Sequence, residues 1–318
     1  MRTVRKTKQF ILIVVIIAGI MFAPCFLQET YSQQVNTGSQ QVNKMKFALM
    51  TYTFALQDWT KDGNFDLKKM CKVGQKLGVE GVDIVSHSFS HLNPDSIRKV
   101  LAAHGQKVVC YTFFPPLNKP TRAERAAGIE EVKKAIEIAK RLGTDKVMIH
   151  TPGNSEMTAE ESRVNWIHGL QEAIVLANAA GLTICMESIR NGPLSTSAEM
   201  LRVIREVPGI KIAFDTGNIY ACGEDPLAFY NACREHIVHA HFKDGHWYNK
   251  TNSDGSTRRD FSSELVGEGD INFAECAKAM VKDGYKGYVN IEYTGNKYSP
   301  DVANQKAIEY INNVLKTN

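Results

Sequence analysis

Four segments of the chain end in side chains capable of acid–base or metal chemistry. Two of them, running from Leu182 to Glu187 and from Ile212 to Asp215, set a carboxylate behind a largely apolar run. Val238–Asp244 presents His239, His241, Lys243 and Asp244 in quick succession, and Val289–Glu292 closes on another carboxylate. A charge behind apolar residues is costly to bury unless something neutralises it. Four such groups gathered at one end of neighbouring strands would repel one another, and a divalent cation at their centre resolves that cost. An oxygen-rich set with one imidazole suits Mn²⁺, Co²⁺, Mg²⁺ or Zn²⁺ rather than copper or an iron–sulfur cluster. His239 and His241 share one strand parity, so spacing alone leaves open which of them is the ligand. For Asp215 alone a helix cap or salt bridge is an equally good reading; the joint pattern on four consecutive strands points to a site.

The elements that must position these groups follow from periodicity. Strands are expected at Lys46–Phe54, Gly81–Val85, Lys107–Phe114, Lys146–His150, Thr183–Ser188, Ile210–Thr216, Ile237–Asp244 and Tyr288–Thr294. Between them apolar residues recur at helical spacing, as in Leu67, Met70, Val73 and Leu77 before Gly78. Ile129, Val132, Ile136 and Ala139 repeat the pattern before Gly143, and Val164–Ala177 before Gly181. Each glycine stands where a helix end wants a left-handed residue. A last helix is expected around Pro300–Leu315, its apolar positions Val302, Ile308, Ile311 and Leu315. Eight strand–helix units with apolar strands predict an α/β fold, a single (β/α)8 barrel over residues 45–318. A doubly wound open sheet is the alternative, but no GxGxxG follows the first strand. Gly245–Gly267, polar and rich in Asn, Ser, Asp and Gly, reads as an active-site loop or lid on the face where the strands end.

The chain carries a net charge of +4, of which residues 1–32 hold +3, from Arg2, Arg5, Lys6 and Lys8 against Glu29, leaving +1 for the rest. That is no electrostatic footprint for nucleic acid. The apolar run Phe10–Ala23 is short for a membrane span and suits a signal-peptide core, so residues 1–32 read as a signal peptide and 33–44 as a flexible mature N-terminus. Lipidation of Cys25 or an uncleaved membrane anchor are the competing readings, and all three export the domain to the periplasm or the extracellular space. Of the six cysteines beyond Cys25, most are expected as buried free thiols, and the absence of CxxC argues against a thiolate zinc site.

The phrases KIAFDTGN, IVHAHFKD, LVGEGDINF and YVNIEY resemble those of the sugar phosphate isomerase/epimerase family, the xylose-isomerase-like TIM barrels, over roughly Lys46 to the C-terminus. The resemblance implies that Glu187, Asp215, His241 and Glu292 bind one divalent metal ion, choosing His241 over His239. It implies further that Glu187 and Glu292 exchange a proton with the substrate while binding the metal. Many members have His three residues after the DTG aspartate, where this chain has Asn218, which weakens the expectation of a second metal.

The chemistry expected is removal of a proton next to a sugar carbonyl through a metal-stabilised enediolate, then its return. Return to the opposite face gives epimerisation, return to the other carbon isomerisation, and loss of a leaving group makes the enzyme a lyase of 3-keto-glycosides. A non-catalytic sugar-binding protein is a further alternative. An endonuclease of damaged DNA on the same barrel is disfavoured by the charge and by Asn218. His150, Arg190, Asn218 and Lys243 are candidate substrate contacts, Asn191 a companion of Arg190, and Lys243 is an alternative partner of Asp244. Glu268 is expected to organise the long loop, and His87 and His91 to be exposed. Tyr52, Phe54, Phe113 and Phe114 would supply either an apolar wall for a sugar ring or core packing. The expected partner is a small-molecule sugar or keto-glycoside substrate. Self-association into a homo-oligomer stays open; neither nucleic acid nor, after leader removal, a membrane is expected.

Overall fold

The computed structural model describes residues 45–317 apart from 58, 62–63, 90–92, 151–155 and 191. The expected leader, Cys25 and the segment 33–44 lie outside the described residues, as do His91 and Asn191. Eight strands close into one parallel barrel: β1 Lys46–Met50, β2 Gly81–Val85, β3 Lys107–Phe113, β4 Lys146–Ile149, β5 Thr183–Glu187, β6 Lys211–Asp215, β7 Ile237–Phe242 and β8 Tyr288–Ile291. Consecutive strands pair and β8 returns to β1, so the barrel has no open edge. The fold is the expected (β/α)8 barrel.

Helices return the chain between strands, and their ends are chemically marked. Thr121 and Glu124 form a reciprocal capping box at the start of Arg122–Leu142, and Thr158 and Glu161 do so for Ala159–Ala179. Gly78 and Gly143 end their helices in the left-handed region as expected. The third helix is capped one residue earlier, by Ala180, with left-handed Gly181 following it. The C-terminal helix Pro300–Lys316 buries Ala303, Ala307, Ile308 and Ile311, a face that leaves Val302 exposed rather than in the core. The six cysteines among the described residues are free thiols, all buried but Cys222. Among the described residues no helix is long and apolar enough to cross a membrane.

Two elements depart from the sequence reading. The first strand ends at Met50, and Thr51–Ala55 turns into a short helix. Two threonines explain this: Thr51 Oγ1 accepts the Val85 N–H at 2.9 Å, and Thr53 Oγ1 accepts that of Tyr293 at 3.3 Å. Their hydroxyls lock the turn onto the ends of β2 and β8, and tertiary contact overrides strand propensity. The second departure is Gly245–Gly267, which is mostly an antiparallel hairpin of Asp244–Thr251 and Thr257–Glu264 rather than a loop. Asn, Ser, Asp and Gly cluster at its tip, where Asn252 and Ser256 pair through their backbones. The outer parts of both arms are exposed, which removes the apolar alternation that would have marked them as strands.

Candidate functional site

Inward-facing residues of the barrel form layers, because side chains two apart on a strand share a face. Cys110, Met148, Cys185 and Ala213 make an apolar layer. Two residues further along the same strands stand Thr112, His150, Glu187 and Asp215. His239 and His241 divide between the lower and upper levels in the same way, as do Asn290 and Glu292. Register completes the arrangement by setting Asp215 beside His241 and His241 beside Asn290.

In the upper layer Glu187, Asp215, His241 and Glu292 are buried, and one ligand-type atom of each lies within 4.8 Å of the others. His241 Nδ1 is 2.9 Å from Glu187 Oε1, 3.2 Å from Glu292 Oε2 and 3.9 Å from Asp215 Oδ2. Every member turns its second atom to a support outside this centre. Glu187 Oε2 meets His150 Nε2 at 2.7 Å, Asp215 Oδ1 accepts the Asn218 N–H at 2.8 Å, and Glu292 Oε1 accepts from Lys243 Nζ at 2.7 Å. The fourth support is Asp83, whose Oδ2 is 3.3 Å from His241 Nε2. Asp83 also meets His239 at 2.8 Å, Asn290 at 2.9 Å and Thr112 at 3.1 Å. Side chains that bind metals are ordinarily oriented by such outer partners.

Charge in the cluster is unbalanced. Burial would raise the Glu187 carboxyl, yet His150 and His241 outweigh it and hold it well below its usual range. Burial would likewise raise Glu292, but Lys243 and His241 bring it down. Burial and the neighbouring Glu187 push Asp215 well above the carboxylate range. Burial opposes the charge on Lys243, but Glu292 and Asp215 outweigh it and raise the ammonium. Asp215 is thus the carboxylate left without adequate compensation. Glu187 Oε1, Asp215 Oδ2 and His241 Nδ1 are also buried without a counted hydrogen-bond partner, although the first and last stand 2.9 Å apart. Three carboxylates and one imidazole with unpartnered atoms facing a common centre fit a divalent cation.

A cavity of about 220 Å³ opens onto this centre, with Tyr52, His87, Phe114 and His150 on one side and Asn218, Lys243 and Glu292 on the other. His87 and His150 each lie against Phe114, with ring centroids 5.3 and 5.1 Å away. Glu292 borders this space directly, whereas Glu187 reaches it behind His150.

Most residues singled out from sequence meet here. Glu187, Asp215, His241 and Glu292 converge, with His150, Asn218 and Lys243 beside them. His239 lies one layer below, against Asp83. Lys243 pairs with Glu292 rather than Asp244, whose carboxylate instead accepts the N–H groups of Gly245, Gly267, Gly269 and Ile271. Glu268 ties to Lys297 and Tyr298, so Asp244 holds the base of the hairpin. Exposed His87 lines the cavity rather than facing only solvent. Phe54 and Phe113 pack in the core, while Tyr52 and Phe114 border the cavity. Arg190 stands apart, 3.2 Å from Asp260 of the hairpin. Sequence reading missed Asp83 and Asn290, although an acid inside the apolar strand GVDIV was a signal that something must neutralise it.

The family described as Xylose isomerase-like TIM barrel matches residues 71–314. Uncharacterized protein MJ1311 of Methanocaldococcus jannaschii is 25% identical over 281 residues, covering 80% of this chain and 91% of that protein. L-ribulose-5-phosphate 3-epimerase UlaE of Salmonella paratyphi A is 27% identical over 182 residues. That match spans 56% of this chain and 60% of the epimerase, less than two thirds of its length. Among solved structures, the IOLI protein with a bound zinc atom superposes with a TM-score of 0.69 at 17% identity, covering 86% of this chain and 98% of that one. The 3-keto-D-glucoside 4-epimerase YcjR of E. coli gives 0.67 at 14% identity, covering 85% and 100%. At these identities the two structures establish likeness of fold.

Proposed function

We propose that this chain, which belongs to the xylose isomerase-like TIM barrel family, is a metal-dependent sugar isomerase or epimerase that moves a proton on the carbon beside a carbonyl. The observation that carries this reading is the buried centre in which Glu187, Asp215, His241 and Glu292 each point one atom inward and anchor the other. These four residues would hold one divalent ion, Mn²⁺, Co²⁺, Mg²⁺ or Zn²⁺. Such an ion supplies stabilisation for negative charge developing on the substrate oxygens. The similarity to UlaE and the zinc in the IOLI protein support a sugar substrate and a metal, respectively.

The protein's own groups divide the remaining work. Glu292 borders the cavity and is the carboxylate placed to take the proton, with Lys243 fixing its orientation. Glu187, the last residue of β5, sets its Oε2 on His150, which lines the cavity, so His150 would bind a hydroxyl and pass a proton to or from Glu187. Two acid–base groups from different strands allow removal on one side and return on the other, which inverts a carbon. Return to the adjacent carbon interconverts aldose and ketose. Asn218 and Lys243 would hold hydroxyls or a developing oxyanion, and Tyr52 and Phe114 would cover a sugar face. A cavity of about 220 Å³ suits a single sugar ring. Elimination from a 3-keto-glycoside is a second reading, favoured by a further cavity beside Arg190 that could take an aglycone. If residues 1–32 are a leader, the enzyme would work outside the cytoplasm, where an unphosphorylated substrate is expected.

Deuterium uptake from D₂O into a panel of free sugars and 3-keto-glycosides, with and without Mn²⁺, tests the proposal. Metal-dependent exchange beside the carbonyl is expected, and Glu292→Gln should reduce it by at least about a hundredfold while keeping the fold. Full activity in that variant, or no exchange with any substrate, would overturn the reading. The product, whether epimer, ketose or eliminated glycal, distinguishes the three outcomes.

A further inference from the structure

Residues of the hairpin Asp244–Glu264 and of the segment after β5 line a second, open cavity of about 490 Å³ on the same barrel face. Its lining residues neighbour those of the inner cavity in sequence: Ile189 and Asn218 line the inner one, Arg190, Ala221 and Cys222 the outer one. Arg190, Arg258 and Arg259 all face it, together with Trp247. Two guanidiniums converge on the same indole, Arg259 at 4.8 Å and Arg190 at 5.9 Å from the ring.

Charge there is one-sided. Asp260 is the carboxylate of this cavity, and it is already shared: 3.2 Å from Arg190, 3.3 Å from Arg258 and 3.9 Å from Lys250. Among the described residues no carboxylate oxygen pairs within 4.0 Å with Arg259. Like charges held together around one aromatic ring repel, and an anion entering between them relieves that repulsion while gaining forked hydrogen bonds. The indole offers what a sugar face packs on.

We infer that this cavity is a subsite for an anionic saccharide unit, a sugar carrying a carboxylate or sulfate ester, joined to the ring that occupies the inner cavity. The inference rests on the proposed reading only for the identity of the inner ring; the subsite itself is defined by Arg190, Arg258, Arg259 and Trp247. Arg190 thereby becomes a contact to the distal unit rather than to the reacting one.

Binding to the full chain distinguishes the possibilities without relying on turnover. Titrations by NMR or calorimetry would compare methyl β-D-glucopyranoside, its 6-sulfate, methyl β-D-glucuronide and inorganic sulfate. The two charged glycosides should bind at least about tenfold more tightly than the neutral glycoside and than inorganic sulfate. Whichever of the two binds more tightly names the acid group. Arg259→Ala should abolish the discrimination by charge, and Trp247→Ala should weaken both charged glycosides. Equal binding of neutral and charged glycosides, unaltered discrimination in Arg259→Ala, or inorganic sulfate binding as well as the sulfated glycoside would each overturn the inference. Separate titration with Mn²⁺ reports on the inner centre, so a metal-free barrel with a working anionic subsite would refute the proposed function and leave this subsite standing.

Discussion

Asp83 lies at the meeting point of His239, His241, Asn290 and Thr112, and its position decides which nitrogen His241 presents to the centre. Burial would raise its carboxyl, but the two imidazoles outweigh that and hold it at about 2. With Nε2 engaged by a carboxylate, Nδ1 is left to face the three acids. Asp83→Asn retains size and one acceptor oxygen but turns an amide toward groups that need an acceptor. It should weaken binding of the expected metal by about ten- to a hundredfold, read by competition with a chelating dye. Unchanged affinity would mean that the imidazole is held by packing alone. The same contrast shows what was legible at this scale. Glu187, Asp215 and Glu292 could be found because each closes a strand, and strand ends of one barrel meet, whereas His241 was separated from His239 only by the family resemblance. Asp83 could not be assigned a role, because its partners His239 and Asn290 come from strands 156 and 207 residues further along the chain.

The hairpin after β7 forms a wall of the outer cavity, and a single carboxylate holds its base. Asp244 accepts four backbone N–H groups, from Gly245, Gly267, Gly269 and Ile271, at 2.7–3.3 Å. Gly269 is required at its position, since a Cβ there would stand 2.2 Å from Asp244 Oδ1. Asp244→Asn replaces one acceptor oxygen with a donor facing N–H groups. Each buried donor left unpaired costs about 1–3 kcal/mol, so urea unfolding should show a loss of about 2–4 kcal/mol. A wild-type midpoint would show that the hairpin base is held by other contacts. The eight barrel strands and their helices were legible because apolar periodicity reports burial. The hairpin was not, because its arms gain their order from cross-strand hydrogen bonds and from Trp247 packing on Phe261, neither of which leaves a period in the sequence. The same limit shortened the first strand, where two threonine hydroxyls stabilise a turn that composition reads as strand.

At the scale of the whole molecule, closing the barrel forces the C-terminal ends of β5, β6 and β8 to bring three carboxylates together, with compensation that falls short at Asp215. A cation bound only by the folded state would stabilise the entire domain by linkage. At a hundred times the dissociation constant this amounts to about 2.7 kcal/mol. For a domain of this size that corresponds to roughly 5 °C in melting temperature. Thermal unfolding with Mn²⁺ or Zn²⁺ against a chelator should therefore show a shift of that order. Asp215→Asn supplies the internal control: it removes one buried negative charge, keeps an oxygen that can accept the Asn218 N–H, and takes away a ligand. The cation-free variant should melt at or above the cation-free parent, because repulsion with Glu187 is gone, while its response to added metal is lost. Opposite behaviour, a lower cation-free melting point with the metal response intact, would identify Asp215 as a helix cap alone and leave the three remaining ligands to account for the centre.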